Sequence, residues 1–253
     1  MLVIIVFCII IVVFVRFSIG HDRDKKLLET VSRLNRATRA DASYSPAMAI
    51  ETVSRRSRGT RAERYLVLNL LKAGISAEEI FHDLYIKKFN GTFSQIDLVV
   101  ITEVGIIVFE VKDYSGWIFG NGYHQQWTQL LAYGKQKYRF YNPVKQNNNH
   151  IAVLRQKIGN FAKVPFYSII VFDGDCELRD IKFIPKGTFI AKPERILDVI
   201  VNILNNNEIV NYRNKDKIVK LLEESVNNGE NTEIRIQHIT NVKDILGEDR
   251  VFK

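Results

Sequence analysis

Residues 95–116 read QIDLVVITEVGIIVFEVKDYSG and hold two apolar runs separated by a short turn that contains glycine. Such runs on either side of a turn predict a β-hairpin. If Ile101 pairs with Ile106, the numbers of opposed residues have a constant sum, and Asp97 lies directly opposite Glu110. Opposed Cβ atoms in an antiparallel pair are about 4.5–5.5 Å apart, so we expect the two carboxylates to be neighbours on one face.

Lys112 follows Glu110 by two residues, so strand alternation places it on the same face. Opposed carboxylates repel each other, and burying a bare carboxylate costs roughly several kcal/mol. A divalent cation between Asp97 and Glu110 would offset both costs. The alternative is a simple Asp–Lys or Glu–Lys ion pair at a sheet edge, which does not require two acids in a core-like sequence. The pattern therefore favours a metal site.

The whole chain has 253 residues, of which 46% are hydrophobic and 25% charged, and a formal net charge of +8. This length allows one substantial domain with appendages or two small domains. The charge predicts a polyanionic partner, either nucleic acid or an anionic membrane surface. The two cysteines, Cys8 and Cys176, suggest no disulfide framework, and no Cys/His spacing typical of a zinc site is found.

Residues 1–20 are almost wholly apolar and predict a single transmembrane helix. A cleaved signal peptide is the rival interpretation, but no basic segment precedes the apolar run and no A-x-A cleavage site follows it. The nearest positive charges all follow the span, which predicts a single-pass protein of the cell membrane with the remaining domain in the cytoplasm.

The rest of the chain divides by composition. Residues 21–58 are polar and basic, typical of a linker or of a basic arm that contacts phosphates or lipid headgroups. A helix is expected from Thr60, which has capping-box spacing to Glu63, up to Gly74. Beyond the hairpin, strands are predicted at 116–119, 126–133, 138–141, 166–172 and 188–191, and helices at 146–162, 193–204 and 208–224. This order predicts an α/β domain with a mixed central β-sheet flanked by helices.

Asp97 followed by Glu110-Val111-Lys112 resembles the active-site signature of the PD-(D/E)xK nuclease superfamily. A fuller set of residues is similar to the nuclease-related domain (NERD) family: Gly59-Thr60-Arg61-Ala62-Glu63, Gln95-Ile96-Asp97, Glu110-Val111-Lys112, Gly116, Gln126-Trp127, Asn142-Pro143, Gln146 and His150. Asp113 departs from the asparagine-like residue expected there. The resemblance implies a restriction-endonuclease-like core. We therefore divide the chain into an anchor (1–20), a linker (21–58), a NERD nuclease-like domain (59–192) and a mainly helical C-terminal region (193–253).

The resemblance also implies roles for individual residues. Asp97 and Glu110 would hold Mg²⁺ or Mn²⁺ with the Val111 carbonyl, and a metal-bound water would attack the phosphodiester. Lys112 would orient that water or stabilise the transition-state charge. Gln95 could hydrogen-bond the water or a phosphate. Glu63 has two interpretations, as the helix cap and as a further member of the catalytic site.

The segment Lys135-Gln136-Lys137-Tyr138-Arg139-Phe140-Tyr141 interleaves cations with aromatic residues, which suits nucleic-acid binding. An amphipathic strand with solvated basic residues is the alternative. Lys145 and Gln146 extend the basic, polar character, whereas Trp127 is expected in the core and His82, His124 and His150 are interpreted as structural.

Together these patterns predict a membrane-anchored, metal-dependent nuclease whose expected nucleic-acid partner is DNA rather than RNA. The alternative is a membrane-tethered nucleic-acid-binding module that does not cleave. The sequence identifies no protein partner.

Overall fold

The structure is a computed structural model that describes residues 58–159 and 162–246, together with Val53. The predicted transmembrane helix at 1–20 lies outside the described residues, as does nearly all of the predicted linker at 21–58. Within the described ranges, no helix is both long enough and apolar enough to span a bilayer.

The described residues form nine strands and five α-helices. The strands are β1 (Ile80–Lys87), β2 (Phe93–Thr102), β3 (Gly105–Asp113), β4 (Gly116–Asn121), β5 (Gln126–Leu131), β6 (Gln136–Tyr141), β7 (Phe166–Asp173), β8 (Cys176–Lys182) and β9 (Thr188–Ala191). The helices are α1 (Arg61–Lys72), α2 (Pro143–Ile158), α3 (Ile196–Asn205), α4 (Lys215–Asn228) and α5 (Thr232–Leu246). The predicted α/β class is confirmed, but there are two mixed sheets where one was expected.

The first sheet has the strand order β1-β2-β3-β7-β9. Its first three strands are antiparallel, while β7 and β9 are parallel to β3. The predicted pairing of Ile101 with Ile106 is confirmed, and the ladder between β2 and β3 continues to Leu98 opposite Phe109. Asp97 and Glu110 are therefore the next opposed positions beyond the last ladder pair.

Two hydrophobic cores cover the two faces of this sheet, and we name the faces by their helices. On the α1 side, residues of α1 and α3 pack on Ile107 and Phe109 of β3. On the α2 side, residues of α2 and α4 pack on Ile106 and Val108. The alternation along β3 places Glu110 and Lys112 on the α2 side.

β1 and β2 kink together beside this strand. On β2, Ile96 faces the α2 side, Leu98 the α1 side and Val99 the α2 side again. Regular alternation would put Ile96 and Leu98 on one face, so the strand is irregular at Asp97. Opposite on β1, Asp83 has a φ of 54°, and neither Asp83 nor Asp97 is a paired position of the ladder.

The second sheet has the order β6-β5-β4-β8, and its first three strands are antiparallel. Its inner face packs on the first sheet through a third core that contains Ile118, Trp127 and Phe172. Trp127 is 1% exposed, and its ring stacks on Phe172 with 6.0 Å between centroids. Trp127 is thus a core residue, as expected.

The C-terminal helices belong to the same cores as the strands. Ile218 and Leu222 of α4 are fully buried on the α2 side, and Ile200 of α3 is buried on the α1 side. Arg58 ties α4 to β1, because its guanidinium donates to the carbonyl of Val226 and to the carboxylate of Asp83.

Several element boundaries differ from the sequence expectations. The helix predicted at 208–224 begins only at Lys215, because the preceding segment bonds to the β2–β3 turn: the Val210 N–H donates to the Glu103 carbonyl. β1 and β8 were not predicted. β1 contains the buried polar pair His82-Asp83, which interrupts its apolar pattern, and β8 is a mostly exposed edge strand. Helix α2 begins three residues before the expected start, with Asn142 as N-cap and Pro143 at its first position.

Candidate active site

Asp97 lies where β2 and β3 separate. Its Oδ2 accepts a hydrogen bond of 2.8 Å from the Val111 N–H, so the carboxylate takes the place of a main-chain acceptor beyond the last ladder pair. The kink at Asp97 makes this possible, because it releases the residue from pairing on both sides. The same contact fixes Asp97 against the strand that carries Glu110 and Lys112.

Glu110 is 1% exposed and has a basic group at each carboxylate oxygen. Lys112 Nζ lies 2.5 Å from Oε1, and His150 Nε2 lies 3.3 Å from Oε2. The histidine contact lacks hydrogen-bond geometry, so Oε2 is buried without a hydrogen bond. Burial alone would raise the pKa of Glu110, but Lys112 and His150 outweigh it and lower the pKa.

Lys112 is held in place by a second contact, since its Nζ donates to Gln146 Oε1 at 3.2 Å. Burial disfavours the ammonium form, but the carboxylates of Glu110 and Asp97 outweigh this effect and raise the pKa of Lys112. The site therefore contains a stable cation next to two acids. The predicted common face of Glu110 and Lys112 is confirmed by their direct contact.

Asp97 is the uncompensated member of the cluster. Its pKa is raised well above the usual range, first by burial, then by the negative charges of Glu110 and Glu63. Lys112 and the Val111 N–H oppose this shift without cancelling it. The simple ion pair weighed as an alternative is present between Glu110 and Lys112, but it leaves a second acid in the site without a counter-charge.

The helix-cap interpretation of Glu63 is confirmed, and its membership of the catalytic site stays a prediction. Its N–H donates to Thr60 Oγ1 at 3.2 Å, and Thr60 Oγ1 donates to Glu63 Oε1 at 2.8 Å, which caps α1. The other oxygen, Oε2, lies 3.1 Å from His82 Nε2. The same buried side chain acts electrostatically on Asp97 from the α1 side of the sheet.

Gln95 is placed beside the kink. Its amide Nε2 donates to Asp83 Oδ1 at 3.0 Å, and Arg58 Nε donates to Asp83 Oδ2 at 3.1 Å. Gln95 and Arg58 thus hold Asp83 on β1, which lies opposite Asp97 on β2. The catalytic role of Gln95 stays a prediction. Its hydrogen bond to Asp83 holds the side-chain amide in place.

Among the residues predicted to bind nucleic acid, the structure brings Gln146 to the site, in contact with Lys112. Lys145 lies next to it in the first turn of α2 and is partly exposed. Lys135, Lys137 and Arg139 are exposed on the β5–β6 hairpin of the second sheet. Their segment leads directly into α2.

His150 and Ser94 were not predicted as members of the site. Ser94 Oγ is 3.0 Å from His150 Nδ1, and the other ring nitrogen faces Glu110, so the histidine links β2 to the buried acid. The spacing of Gln146 and His150 carries the signal that was overlooked. Residues four apart lie on the same face of a helix, and these two contact Lys112 and Glu110, which share a strand.

Two features of the site fit a hard divalent cation. Glu110 Oε2 is a buried carboxylate oxygen without a hydrogen bond, and Asp97 is destabilised by neighbouring negative charge. Magnesium prefers oxygen donors, keeps several waters and commonly takes only one or two carboxylates from the protein. The side chains alone supply no larger set, because no group of three or more His, Cys, Asp or Glu residues in the described ranges is arranged to hold a metal. The Val111 carbonyl, next to Glu110, stays a predicted third ligand.

Comparison with known proteins identifies this part of the chain. The family model NERD, the nuclease-related domain, matches residues 58–173. This segment is a nuclease-related domain. An uncharacterized protein of Bacillus anthracis is 34% identical over 100 residues, which cover 40% of this chain and 45% of that relative. The match thus spans less than half of the relative's length. No solved structure matches the chain.

The nuclease-related domain contains every residue of the cluster around Asp97 and Glu110. It starts at Arg58, which anchors the kinked strand β1, and ends at Asp173, the last residue of β7. Strands β8 and β9 and helices α3 to α5 follow it in the chain and complete the sheets and cores described above.

Proposed function

We propose that this protein is a metal-dependent nuclease that hydrolyses phosphodiester bonds of DNA. One observation supports this most strongly: Asp97 and Glu110 converge at the point where β2 and β3 separate, with the ammonium of Lys112 beside them. The match of this segment to a nuclease-related domain supports the same chemistry.

The residues of the cluster have distinct tasks in this proposal. Mg²⁺ or Mn²⁺, held by Asp97, Glu110 and the Val111 carbonyl, would supply a water of lowered pKa and neutralise phosphate charge. The raised pKa of Lys112 keeps its ammonium protonated, so it can stabilise charge that develops on the phosphate oxygens. Gln146 keeps that ammonium in position through its 3.2 Å hydrogen bond.

Support for the carboxylates comes from the surrounding side chains. Ser94 orients the ring of His150, whose Nε2 faces Glu110, so the buried acid is held from the side of α2. Glu63 adds negative charge near Asp97, which strengthens the attraction for a cation. Gln95 is fixed beside Asp97 by its hydrogen bond to Asp83 and could donate to a phosphate or to the attacking water.

We further propose that residues 1–20 anchor the protein in the cell membrane, with the nuclease-related domain in the cytoplasm. The apolar N-terminal run and the positive charges that follow it support this topology. Carbonate extraction of membranes from cells that express the full chain tests the anchor, and protease protection tests the orientation. Release of the chain by carbonate would contradict the anchor. Digestion of the domain by protease added to intact spheroplasts would contradict the cytoplasmic orientation.

A second candidate is a nucleic-acid-binding module that does not cleave. It is favoured by the lack of a three-residue metal group in the described part of the chain. Such a module gains nothing from a pair of acids, Glu110 buried and Asp97 partly exposed, because the pair would repel phosphates. Salt-dependent binding without metal-dependent cleavage would establish it.

The deciding experiment incubates the full chain with labelled DNA and RNA in the presence of Mg²⁺, Mn²⁺ or EDTA. We expect cleavage with metal only, and its loss in Asp97→Asn and Glu110→Gln. Asp216→Asn and Glu223→Gln, on exposed positions of α4, make the same chemical changes away from the site and should cleave like the wild type. Equal cleavage by the wild type and Asp97→Asn would refute the proposed function.

A further inference from the structure

The second sheet has an outer face that the three hydrophobic cores leave uncovered. Trp127 and Phe140 point inward, so the alternate residues Thr128 and Arg139, which pair with each other, point outward. By the same alternation the outer face also carries Trp117, Phe119, Leu130 and Lys137. These side chains are partly or fully exposed, and none of them belongs to a core cluster of the described residues.

The β5–β6 hairpin at one edge of this face presents aromatic rings to solvent. Tyr133 in its turn is 93% exposed, and Tyr141, which shares the outer face with Arg139, is 37% exposed. Tyr138 is also exposed but lies on the same side of β6 as Phe140. Tyr133 also has a φ of 54°, a conformation that is costly for a non-glycine residue. The hairpin thus exposes a large aromatic ring to solvent on a strained backbone. Neither packing nor turn geometry requires a tyrosine at this position.

Positive charge on the outer face is concentrated at the same edge. On β8 the cations are paired, Arg179 with Glu177 at 2.9 Å and Lys182 with Asp180 at 3.0 Å. On the hairpin, Lys135, Lys137 and Arg139 have no ion-pair partner among residues 58–159 and 162–246. Unpaired cations beside exposed aromatic rings, here Tyr133 and Tyr141, are the chemistry that binds unpaired nucleotides.

The hairpin also leads directly into the candidate active site. β6 ends at Tyr141, and Asn142 caps α2 directly after it. Gln146, near the start of α2, accepts a hydrogen bond from Lys112. Asn149 of α2 also donates to the Tyr141 hydroxyl at 3.4 Å, so the end of β6 lies against the helix whose Gln146 contacts Lys112.

We propose that the outer face of the second sheet, along the β5–β6 hairpin, binds single-stranded nucleic acid and directs it to the cluster at Asp97 and Glu110. This inference rests on the proposed nuclease function, and it names the substrate class. A duplex presents phosphates to such a face but keeps its bases stacked inside, so it could use the cations and not the rings. Single strands use both, and each base stacked on an aromatic ring adds affinity.

The test measures binding of fluorescent oligonucleotides to the full chain in EDTA, which removes cleavage from the measurement. We expect single-stranded DNA and RNA to bind more tightly than the duplex of the same sequence. Tyr133→Ala should weaken single-strand binding roughly tenfold and leave duplex binding almost unchanged. Tyr65→Ala removes an exposed tyrosine ring from α1, away from the hairpin, and should change neither affinity.

The cations are tested by the salt dependence of binding. Lys137→Gln combined with Arg139→Gln removes two phosphate contacts, so the slope of log affinity against log salt should fall by about 1.4 for single strands. Lys217→Gln combined with Lys220→Gln makes the same charge change on α4 and should keep the wild-type slope. All four positions are exposed, so the folds of the variants are comparable.

Equal affinity for duplex and single strand, or single-strand binding that is unaffected by the hairpin variants, would overturn the proposal. Hairpin-dependent binding to phosphatidylserine vesicles without an effect on oligonucleotides would show that the face is a membrane surface instead. Because binding is measured without metal, these outcomes are separate from the cleavage test. Discriminating binding without cleavage would refute the proposed function and leave this site in place.

Discussion

Replacing Asp97 by asparagine separates the electrostatic cost of the site from its packing. The amide oxygen of asparagine can still accept from the Val111 N–H, so the substitution removes charge and little else. Burial, Glu110 and Glu63 raise the pKa of Asp97, which means that the folded state binds this proton more tightly than the unfolded chain. The ionised residue therefore destabilises the metal-free protein, and we expect Asp97→Asn to stabilise it at neutral pH.

The size of the effect follows from Coulomb's law. Two unit charges about 5 Å apart, at an effective dielectric constant of about 20, repel each other by roughly 3 kcal/mol. The weaker hydrogen bond to Val111 and the lost attraction to Lys112 offset part of this gain. A net stabilisation of about 1–2 kcal/mol would raise the melting temperature by roughly 2–8 °C for a chain of this size.

The pH dependence has a defined sign. As pH rises from the unfolded pKa of an aspartate, near 4, through the raised folded pKa, the wild type loses stability, and above the folded pKa the loss is constant. Asp97→Asn lacks this loss, so the two melting temperatures should converge in acid and separate towards neutral pH. Asp216→Asn on α4 is the matched control and should follow the wild type.

Thermal melts with and without Mn²⁺ complete the assay. A bound ion stabilises the wild type by about 2.7 kcal/mol at a concentration a hundredfold above its dissociation constant. The variant should gain much less, so metal reverses the order of the two melting temperatures. The reasoning is refuted if Asp97→Asn is less stable than the wild type in EDTA at neutral pH, or if Mn²⁺ raises both melting temperatures equally.

Three further predictions concern the surroundings of the site. Gly59→Ala should cost about 2 kcal/mol or more in urea unfolding, because φ is 63° and a Cβ would collide with the ring of His82; a neutral result would show that the turn can shift. Arg58→Met should cost about 3–5 kcal/mol, since it leaves the Asp83 carboxylate buried without its partner; an effect below 1 kcal/mol, roughly that of a surface pair, would contradict the buried bond. Burial lowers the pKa of His238, so stability should fall as pH drops below about 6.5; His238→Phe should flatten this fall in pH-dependent melts, and an unchanged acid limb would refute it.

The hairpin could be predicted because its local signals agree. Apolar residues on both sides of the turn, Gly105 after it and a constant register from Ile101 and Ile106 all specify the same pairing. From that register, Glu110 and Lys112 were placed on one face, and the cap of α1 by Thr60 followed from its spacing to Glu63. These are short-range patterns, which depend on few other parts of the chain.

The kink at Asp83 and Asp97 could not be predicted in the same way. A strand read alone is assumed to alternate, and β2 breaks this alternation because the carboxylate of Asp97 replaces a main-chain acceptor for Val111. His150 was missed for a related reason. Its partners Ser94 and Glu110 come from two other strands, and only the packing of α2 on the sheet brings the three together.

Helices α3 and α4 have a consequence for how this domain can be moved between proteins. The segment that the family model recognises stops at Asp173, yet Ile200, Ile218 and Leu222, all beyond that point, are sealed inside the faces of its first sheet. If the segment were cut at the ends that the family model recognises, both faces of that sheet would be partly exposed to solvent. The transplantable unit therefore extends through α4, and a fusion or truncation designed on sequence similarity alone would cut through the interior.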